Sequence, residues 1–146
     1  MIFLVDTNVL VRLIQHSDPM HADARRAAST LLRQENQLSI VAQNLIEFWA
    51  VATRPKVNNG LDQSLAETAA HINTFQLTFT LLPDTPDIFP EWQRLAEVHE
   101  VSGRQVHDAR LVAAMLVHGA THLLTFNDAD FKRYNEITVV NPQNIS

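Results

Sequence analysis

The stretch Ile2-Phe3-Leu4-Val5-Asp6-Thr7-Asn8 decides the fold, because four apolar residues lead directly into a carboxylate and two helix-capping residue types. An uninterrupted apolar run of this length is typical of a strand buried on both faces of a parallel sheet. Thr7 and Asn8 are typical of a helix start, and apolar residues follow at helical spacing through Ile14. We therefore expect Asp6 at the carboxyl end of a buried strand, the edge where α/β sheets bind ligands. An equally simple interpretation is that Asp6 only caps the helix.

The length and composition predict one globular domain over residues 1–146. Hydrophobic residues make up 46% of the chain and only 3 residues are glycine, which excludes the low-complexity and disordered classes. The absence of cysteine excludes disulfides, thiolate metal sites and cysteine nucleophiles. The N-terminus lacks a basic segment, and Ile2–Val5 is too short for a signal peptide or membrane span. We therefore expect a cytoplasmic protein with no membrane partner.

The formal net charge of −5 is unfavourable for a protein that coats nucleic acid through bulk positive charge. It remains compatible with a nuclease whose acids gather at one metal site. Most of the 11 basic residues occur in local pairs, which either contact a substrate or lie on ordinary solvated helix faces. These pairs are Arg25 with Arg26, Arg54 with Lys56, Arg104 with Arg110, and Lys132 with Arg133.

A second carboxylate, Glu47, lies among large apolar residues in a predicted helix over residues 45–52. A buried carboxylate without a partner is costly, so we expect a positively charged group beside Glu47 if that helix is buried nearly all round. The alternative is that Glu47 faces solvent on a narrow polar stripe with Gln43 and Arg54. Trp49 is predicted to belong to the core.

The third acidic position, Asp108, lies in the first turn of a predicted helix over residues 106–118, which Gly119 ends. The helix dipole alone would explain an acid there. A polar cluster then follows the predicted strand 122–125, with Asn127, Asp128 and Asp130 in close succession.

Strands and helices alternate along nearly the whole chain, which predicts an α/β fold with a parallel sheet and helices on both faces. Asp18-Pro19 is predicted to start the second helix, which ends near Asn36. Four separate segments thus direct polar or acidic side chains to one sheet edge. Carboxylates that converge in this way repel each other unless a cation holds them together. Oxygen ligands favour Mg²⁺ or Mn²⁺, the usual ions of phosphodiester hydrolysis. The predicted strands cover residues 2–5, 38–41, 77–82, 122–125 and 138–140.

With these segments in order, the chain resembles the PIN-domain ribonucleases, and among them the VapC-type toxins. The resemblance covers essentially the whole chain. It is carried by V-D-T-N-V-L at residues 5–10, N-L-I-E-F-W at 44–49, V-H-D-A-R-L-V-A-A at 106–114 and L-L-T-F-N-x-x-D-F at 123–131. It implies a three-layer α/β/α domain whose five-stranded parallel sheet has the order 3-2-1-4-5.

The resemblance also implies a catalytic site, because Asp6, Glu47 and Asp108 match the first three metal-site acids of the family. Asp6 and Asp108 would hold Mg²⁺ or Mn²⁺, and Glu47 would orient or deprotonate the attacking water. Where the family often has a fourth acid, this chain has Asn127. Asp130 either replaces that acid or caps the turn before Phe131. Supporting residues would hydrogen-bond the acids (Thr7, Asn8 and Thr125) or hold substrate phosphates (Arg104 and Arg110).

The implied partners are an RNA substrate, a small cognate antitoxin whose basic or aromatic segment enters the acidic groove, and a second copy of the chain in a homodimer. Three other hypotheses remain open. A haloacid-dehalogenase-type phosphatase would need a second Asp where Asn8 stands. A receiver domain would need an adjacent acid pair near the N-terminus. A PIN-like module that has lost catalysis would act only through RNA or protein contacts.

Overall fold

A five-stranded parallel sheet forms the centre of the computed structural model, which describes residues 1–146. Its strands are β1 Ile2–Val5, β2 Gln37–Val41, β3 Thr80–Leu82, β4 His122–Leu124 and β5 Thr138–Val140. They lie in the order β3-β2-β1-β4-β5, and every neighbouring pair is parallel. The expected fold class and strand order are both confirmed.

Six α-helices connect and cover the strands. They are α1 Thr7–Ile14, α2 His21–Arg33, α3 Ala42–Thr53, α4 Leu65–Thr78, α5 Ile88–Val98 and α6 Gln105–His118. Short 3-10 turns lie at Lys56–Asn58, Asp128–Phe131 and Pro142–Asn144. None of the six helices combines the length and the apolar character that crossing a membrane requires.

Two separate hydrophobic cores, one on each face of the sheet, produce the three layers. Leu4 of β1 packs into the core that contains α5 and α6, and it is fully buried. Its neighbours Phe3 and Val5 point to the other face, where they meet α1 to α4. Alternate strand residues therefore serve opposite cores, which explains why the first strand has no polar position.

The carboxyl ends of the two central strands meet at one edge of the sheet. Val5 pairs with Leu124, and the backbone N–H of Asp6 donates to the Leu124 carbonyl at 2.9 Å. The residues after β1 and β4 consequently lie side by side. Strand β2 ends on the same edge and leads directly into α3, which carries Glu47.

Two predicted element boundaries were wrong. The second helix begins at His21, not at Pro19, because the Asp18 carboxylate accepts from the Met20 N–H at 2.8 Å and holds a turn there. The third strand was predicted over residues 77–82, but α4 extends through Thr78 and leaves only three residues of strand. Leu77 is 90% exposed on the last turn of that helix.

The placement of Trp49 in the core was also wrong, since its side chain is 38% exposed. Helix α3 buries one face through Phe48 and Ala52, which are both fully buried. Its outer face carries Ile46, Trp49 and Ala50 in the open. An apolar stripe on a helix does not by itself distinguish a face covered by its own chain from one that is left free.

Candidate active site

Asp6 lies at the junction of β1 and α1, where it is only 7% exposed. One carboxylate oxygen, Oδ1, accepts from the Thr7 N–H at 2.7 Å, so Asp6 does cap the helix. The other oxygen, Oδ2, accepts from Thr125 Oγ1 at 2.8 Å and from Asn8 Nδ2 at 3.2 Å. Burial raises the pKa of Asp6 to about 6 despite the Thr125 and Thr7 hydrogen bonds, and the Glu47 and Asp130 charges add to the rise. The cap and the site are thus the same residue.

Thr125 joins the segment after β4 to Asp6. Its fully buried hydroxyl donates to the Asp6 carboxylate and accepts from Asn8 Nδ2 and the Asn127 N–H, both at 3.0 Å. Asn8 completes the link, because its Oδ1 accepts from the Phe126 N–H at 3.1 Å. The predicted supporting positions of Asn8 and Thr125 therefore coincide with direct hydrogen bonds to Asp6.

Replacing Thr125 by Val is expected to lower the unfolding free energy by about 1–3 kcal/mol, the usual cost of leaving buried polar groups unpaired. The isosteric change removes a donor from Asp6 and an acceptor from Asn8 and the Asn127 N–H. Urea unfolding measures the loss. Thr74→Val is the matched control, because that exposed hydroxyl only donates to the Ala70 carbonyl. Equal destabilisation by the two substitutions would contradict the role given to Thr125.

Glu47 is neither buried among apolar residues nor left in open solvent. Its Oε2 accepts from Thr7 Oγ1 at 2.7 Å, and its Oε1 accepts from Gln43 Nε2 at 2.9 Å, one helical turn earlier. The buried Asn44 also donates to Thr7 Oγ1 at 3.3 Å. Both Glu47 oxygens are therefore held by neutral donors and not by the positive charge that the sequence suggested.

Asp108 is half-buried in the first turn of α6, and its pKa is also raised to about 6. Burial is the largest cause, followed by the negative charges of Asp6, Asp130 and Glu47. Gln43 fixes this helix against α3, since its Nε2 also donates to the His107 carbonyl at 2.8 Å. These acids thus act on one another electrostatically, as expected for carboxylates that meet at one edge.

Two cavities lie beside these acids, and Asp108 lines both of them. The first, of about 300 Å³, also contains Asp6, Arg12 and Asn127. The second, of about 350 Å³, is lined by Arg104, Gln105, Asp108 and Asp130. Asp130 lies in the 3-10 turn after β4 and is exposed. The two candidates for the fourth position therefore open onto different cavities.

The two arginines predicted to hold phosphates differ in their surroundings. Arg104 is exposed at the second cavity beside Asp108. Arg110 is engaged within the protein, with Nη1 donating to Gln43 Oε1 at 3.1 Å and Nη2 lying 3.3 Å from Asp84 Oδ1. Arg104 is the freer of the two to meet an anion.

The acidic side chains of the site do not form a closed metal cage. No three His, Cys, Asp or Glu side chains come together closely enough to enclose an ion. Asp6 and Asp108 nevertheless line one cavity, and the negative charge of Asp6 raises the pKa of Asp108. Mg²⁺ typically binds one or two carboxylates and keeps several waters, so this oxygen-only pair fits that ion better than a closed protein cage would.

Three residues of this region escaped prediction: Arg12, Gln43 and Asn44. Gln43 had a visible signal, because it precedes Glu47 by one helical turn, but its bridge to α6 depends on how two helices pack. Asn44 lies in the first turn of α3, where its Oδ1 accepts from the Val41 N–H at 2.9 Å. Arg12 follows Asn8 by four residues on α1, and its Nη1 donates to the Asn8 carbonyl at 3.2 Å.

Comparisons with known proteins agree with this architecture. The PIN domain family model matches residues 3–137. Ribonuclease VapC48 from Mycobacterium tuberculosis is 27% identical over 143 residues, covering 94% of this chain and 94% of its own. VapBC-1 from nontypeable Haemophilus influenzae has a similar fold, with a TM-score of 0.72, 14% identity, and coverage of 99% of this chain and 100% of that chain.

A second solved structure shares the fold at a similar level. VapBC2 from Rickettsia felis, bound to a DNA fragment from the promoter, aligns with a TM-score of 0.70 and 18% identity. The alignment covers 97% of this chain and 98% of that chain.

Proposed function

Because this chain belongs to the PIN domain family, we propose that it is a divalent-metal-dependent endoribonuclease and the toxin of a toxin–antitoxin pair. The observation that carries the proposal is that Asp6 and Asp108, from two separate segments, line one cavity. The pKa of each is raised to about 6, and the negative charge of Glu47, from a third segment, adds to both shifts. Carboxylates that repel each other do not stabilise the folded chain, so we infer that a cation binds beside them.

Asp6 and Asp108 would hold Mg²⁺ or Mn²⁺, directly or through water. When bound, such an ion supplies a more acidic water and offsets the charge that builds on phosphate oxygens. Glu47 would orient the attacking water or accept its proton. Thr7 and Gln43 act as positioning residues, because their hydrogen bonds fix the Glu47 carboxylate. Arg104 is the proposed contact for a substrate phosphate on the side of the second cavity.

The proposal is tested by incubating the purified protein with a structured RNA pool, with Mg²⁺ or Mn²⁺ and then with excess EDTA. Cleavage that depends on the metal and creates defined new ends supports it, and sequencing of those ends identifies the target. Undiminished cleavage in EDTA would overturn the metal requirement. Intact RNA in every condition would favour a binding module that has lost catalysis.

For the fourth position we propose Asp130. Its negative charge raises the pKa of both Asp6 and Asp108, whereas Asn127 contributes a neutral side chain to the cavity. We expect one tightly bound Mn²⁺ in the absence of RNA, since Asp6, Glu47 and Asp108 carry only about three negative charges, too few for two ions about 4 Å apart. Asp130 lines the second cavity and would act on the ion from there.

Asp130→Asn is expected to weaken Mn²⁺ binding by about tenfold, the lower end of the loss seen when outer partners of a metal site are removed. Asn127→Asp should instead tighten it by adding a charge at the cavity. Calorimetric titration of the wild type and both variants measures these changes. The matched control is Asp128→Asn. Asp128 accepts a hydrogen bond from Asn141, and it is not among the charges that raise the pKa of Asp6 or Asp108. Two equally tight ions in the wild type would refute the single-ion site.

We also propose two protein partners, a small antitoxin and a second copy of this chain. An exposed apolar surface on α3 and α4, containing Ile46, Trp49 and Ile72, supports a partner because single chains rarely leave such a surface uncovered. Co-expression with the product of the neighbouring gene tests for the antitoxin. Light scattering tests the dimer, for which we expect twice the chain mass of 16.5 kDa.

The phosphatase hypothesis is weakened by the structure of the first turn. Asn8 stands where a second acid would be needed, and its amide is committed to Asp6, Thr125 and the Phe126 N–H. No group remains at that position to donate a proton to a leaving alcohol.

A further inference from the structure

A polar groove of about 610 Å³ adjoins the cavity that contains Asp6 and Asp108. Val11 of α1 and Val51 of α3 line both spaces, so the two lie side by side. The far wall of the groove is the loop after α3. That loop is folded back onto the helix by the Leu61 and Gln63 N–H groups, which donate to the Val51 and Ala52 carbonyls at 3.1 and 2.8 Å.

The groove wall is held in place by close packing. Gly60 lies against the Arg54 backbone, and an added Cβ there would come within 2.0 Å of the Arg54 oxygen. The Asp62 N–H donates to the same oxygen at 2.9 Å. The loop is therefore a preformed surface that a ligand meets without first ordering it.

The groove carries no negative charge, in contrast to the cavity beside it that contains Asp6 and Asp108. No Asp or Glu lines it, and Lys56 is its one charged residue. Uncharged hydrogen-bonding side chains supply the rest of its polar surface: Gln15, Ser17, Asn59 and Gln63. Amides of this kind can donate to and accept from the edges of unpaired bases.

Arg12 lines the cavity that contains the acids and follows Val11, which lines both that cavity and the groove. Its guanidinium lies 4.8 Å from the centre of the Phe126 ring, donates to the Asn8 carbonyl and has Asp18 at 3.7 Å from Nε. The buried Nε has no hydrogen-bond partner, and neither has the buried Oε1 of Gln63 in the groove. Because neither atom is exposed, a ligand would meet these two side chains through their other polar atoms, and the Arg12 side chain as a whole is 27% exposed.

We propose that this groove binds the stretch of single-stranded RNA next to the scissile bond, with Arg12 holding the adjoining phosphate and the groove amides contacting the following bases. The proposal rests on the proposed ribonuclease function and extends it to a second set of contacts. Arg12 is pre-positioned by Phe126 and Asn8, and a fixed guanidinium is well suited to a phosphate.

An RNA strand fits the groove better than a basic protein segment does. A cationic segment would be drawn to the acids and would find only Lys56 and neutral amides in the groove. A polyanion gains from Arg12 and Lys56 in succession. Only the scissile phosphate of the RNA would then lie beside the acids, and the neighbouring nucleotides would lie in the groove.

The test uses synthetic RNAs that share one cleavage site and are lengthened by one nucleotide at a time on either side. For the wild type, lengthening on one side only is expected to raise kcat/KM. Arg12→Gln should lower kcat/KM by about tenfold to a hundredfold on the lengthened RNAs, as expected for one charge-assisted hydrogen bond. The loss should be less than about twofold on RNAs that end, on that side, with the single nucleotide after the scissile bond, because these RNAs lack the adjoining phosphate. Arg12→Lys should fall between, because it keeps the charge but not the fork.

Arg25→Gln is the matched control, since Arg25 is exposed on α2 away from these residues, and it should leave every substrate unchanged. Equal losses at all lengths would overturn the proposal, because they would place Arg12 in the folding or chemistry of the acids. Loss at no length would overturn it as well.

If the wild type cleaves no RNA, the ribonuclease proposal fails, and the groove is judged by fluorescence anisotropy with labelled single-stranded RNA. Binding that weakens in Arg12→Gln but not in Arg25→Gln supports the groove. Absence of binding, or a basic peptide that binds there without competition from RNA, overturns it.

Discussion

RNA cleavage by the Asp6→Asn and Asp108→Asn variants is expected to fall by at least about a hundredfold, the loss usual when one group that stabilises developing charge is removed. Each substitution removes a negative charge from the proposed ion site and leaves the side-chain volume almost unchanged. The fold should therefore survive, and circular dichroism checks that it does. Rates of cleavage of one defined RNA, measured under single-turnover conditions, give the loss.

Asp87→Asn serves as the control for this comparison. Asp87 is exposed just before α5, and its side chain makes no capping hydrogen bond, so cleavage should be unaffected. Folded Asp6→Asn and Asp108→Asn variants that cleave at the wild-type rate would remove these residues from the chemistry. A loss in Asp6→Asn alone would indicate that Asp6, at the end of β1, binds the ion without Asp108.

The position of these acids could be predicted because each follows from a local rule. Asp6 comes directly after an apolar run that only a doubly covered strand explains, and Asp108 lies in the first turn of a clearly periodic helix. The parallel arrangement then brings strand ends to one edge. The strand order itself came from the family resemblance, since alternation of elements fits several orders.

The hydrogen-bond network around the acids could not be predicted in this way. Gln43 bridges Glu47 to the backbone of α6, a contact across 64 positions that no local pattern encodes. Arg12 meets the Phe126 ring only because the segment after β4 returns to the first helix. Side-chain partners of this kind depend on how helices and loops pack, which periodicity leaves open.

The error at Trp49 has a related cause. Spacing along α3 identifies apolar residues on several sides of the helix, and the deepest of them, Phe48, packs edge-to-face on Phe75 at 4.9 Å. Trp49 and Ile46 are equally apolar in the sequence, but no helix or strand of this chain covers them. The exposed surface becomes understandable only when a partner is considered.

The same acids that are proposed to cleave RNA should destabilise the metal-free protein at neutral pH. The pKa of Asp6 is about 6 in the folded chain against 3.8 in an ordinary setting. The folded state therefore holds a proton that the unfolded state has already released between about pH 4 and 6, and stability falls as the pH rises through that window. For the buried Asp6 the loss amounts to about 3 kcal/mol at pH 7. Asp108 adds less, because solvent screens a half-exposed group.

We therefore expect Asp6→Asn to unfold with the same free energy as the wild type near pH 4 and to be more stable by about 2–3 kcal/mol at pH 7 without metal. Chemical unfolding at both pH values measures the difference, and Asp87→Asn should follow the wild type throughout. Saturating Mg²⁺ or Mn²⁺ should raise the Tm of the wild type at pH 7, because a ligand bound only by the folded state stabilises it, and should do little for Asp6→Asn. The metal effect should fade below about pH 5, where protonated carboxyl groups no longer bind the ion. A wild type as stable as Asp6→Asn at pH 7 would show that burial does not destabilise the ionised Asp6 carboxylate. A wild type whose Tm rises with neither metal would show that no cation stabilises it.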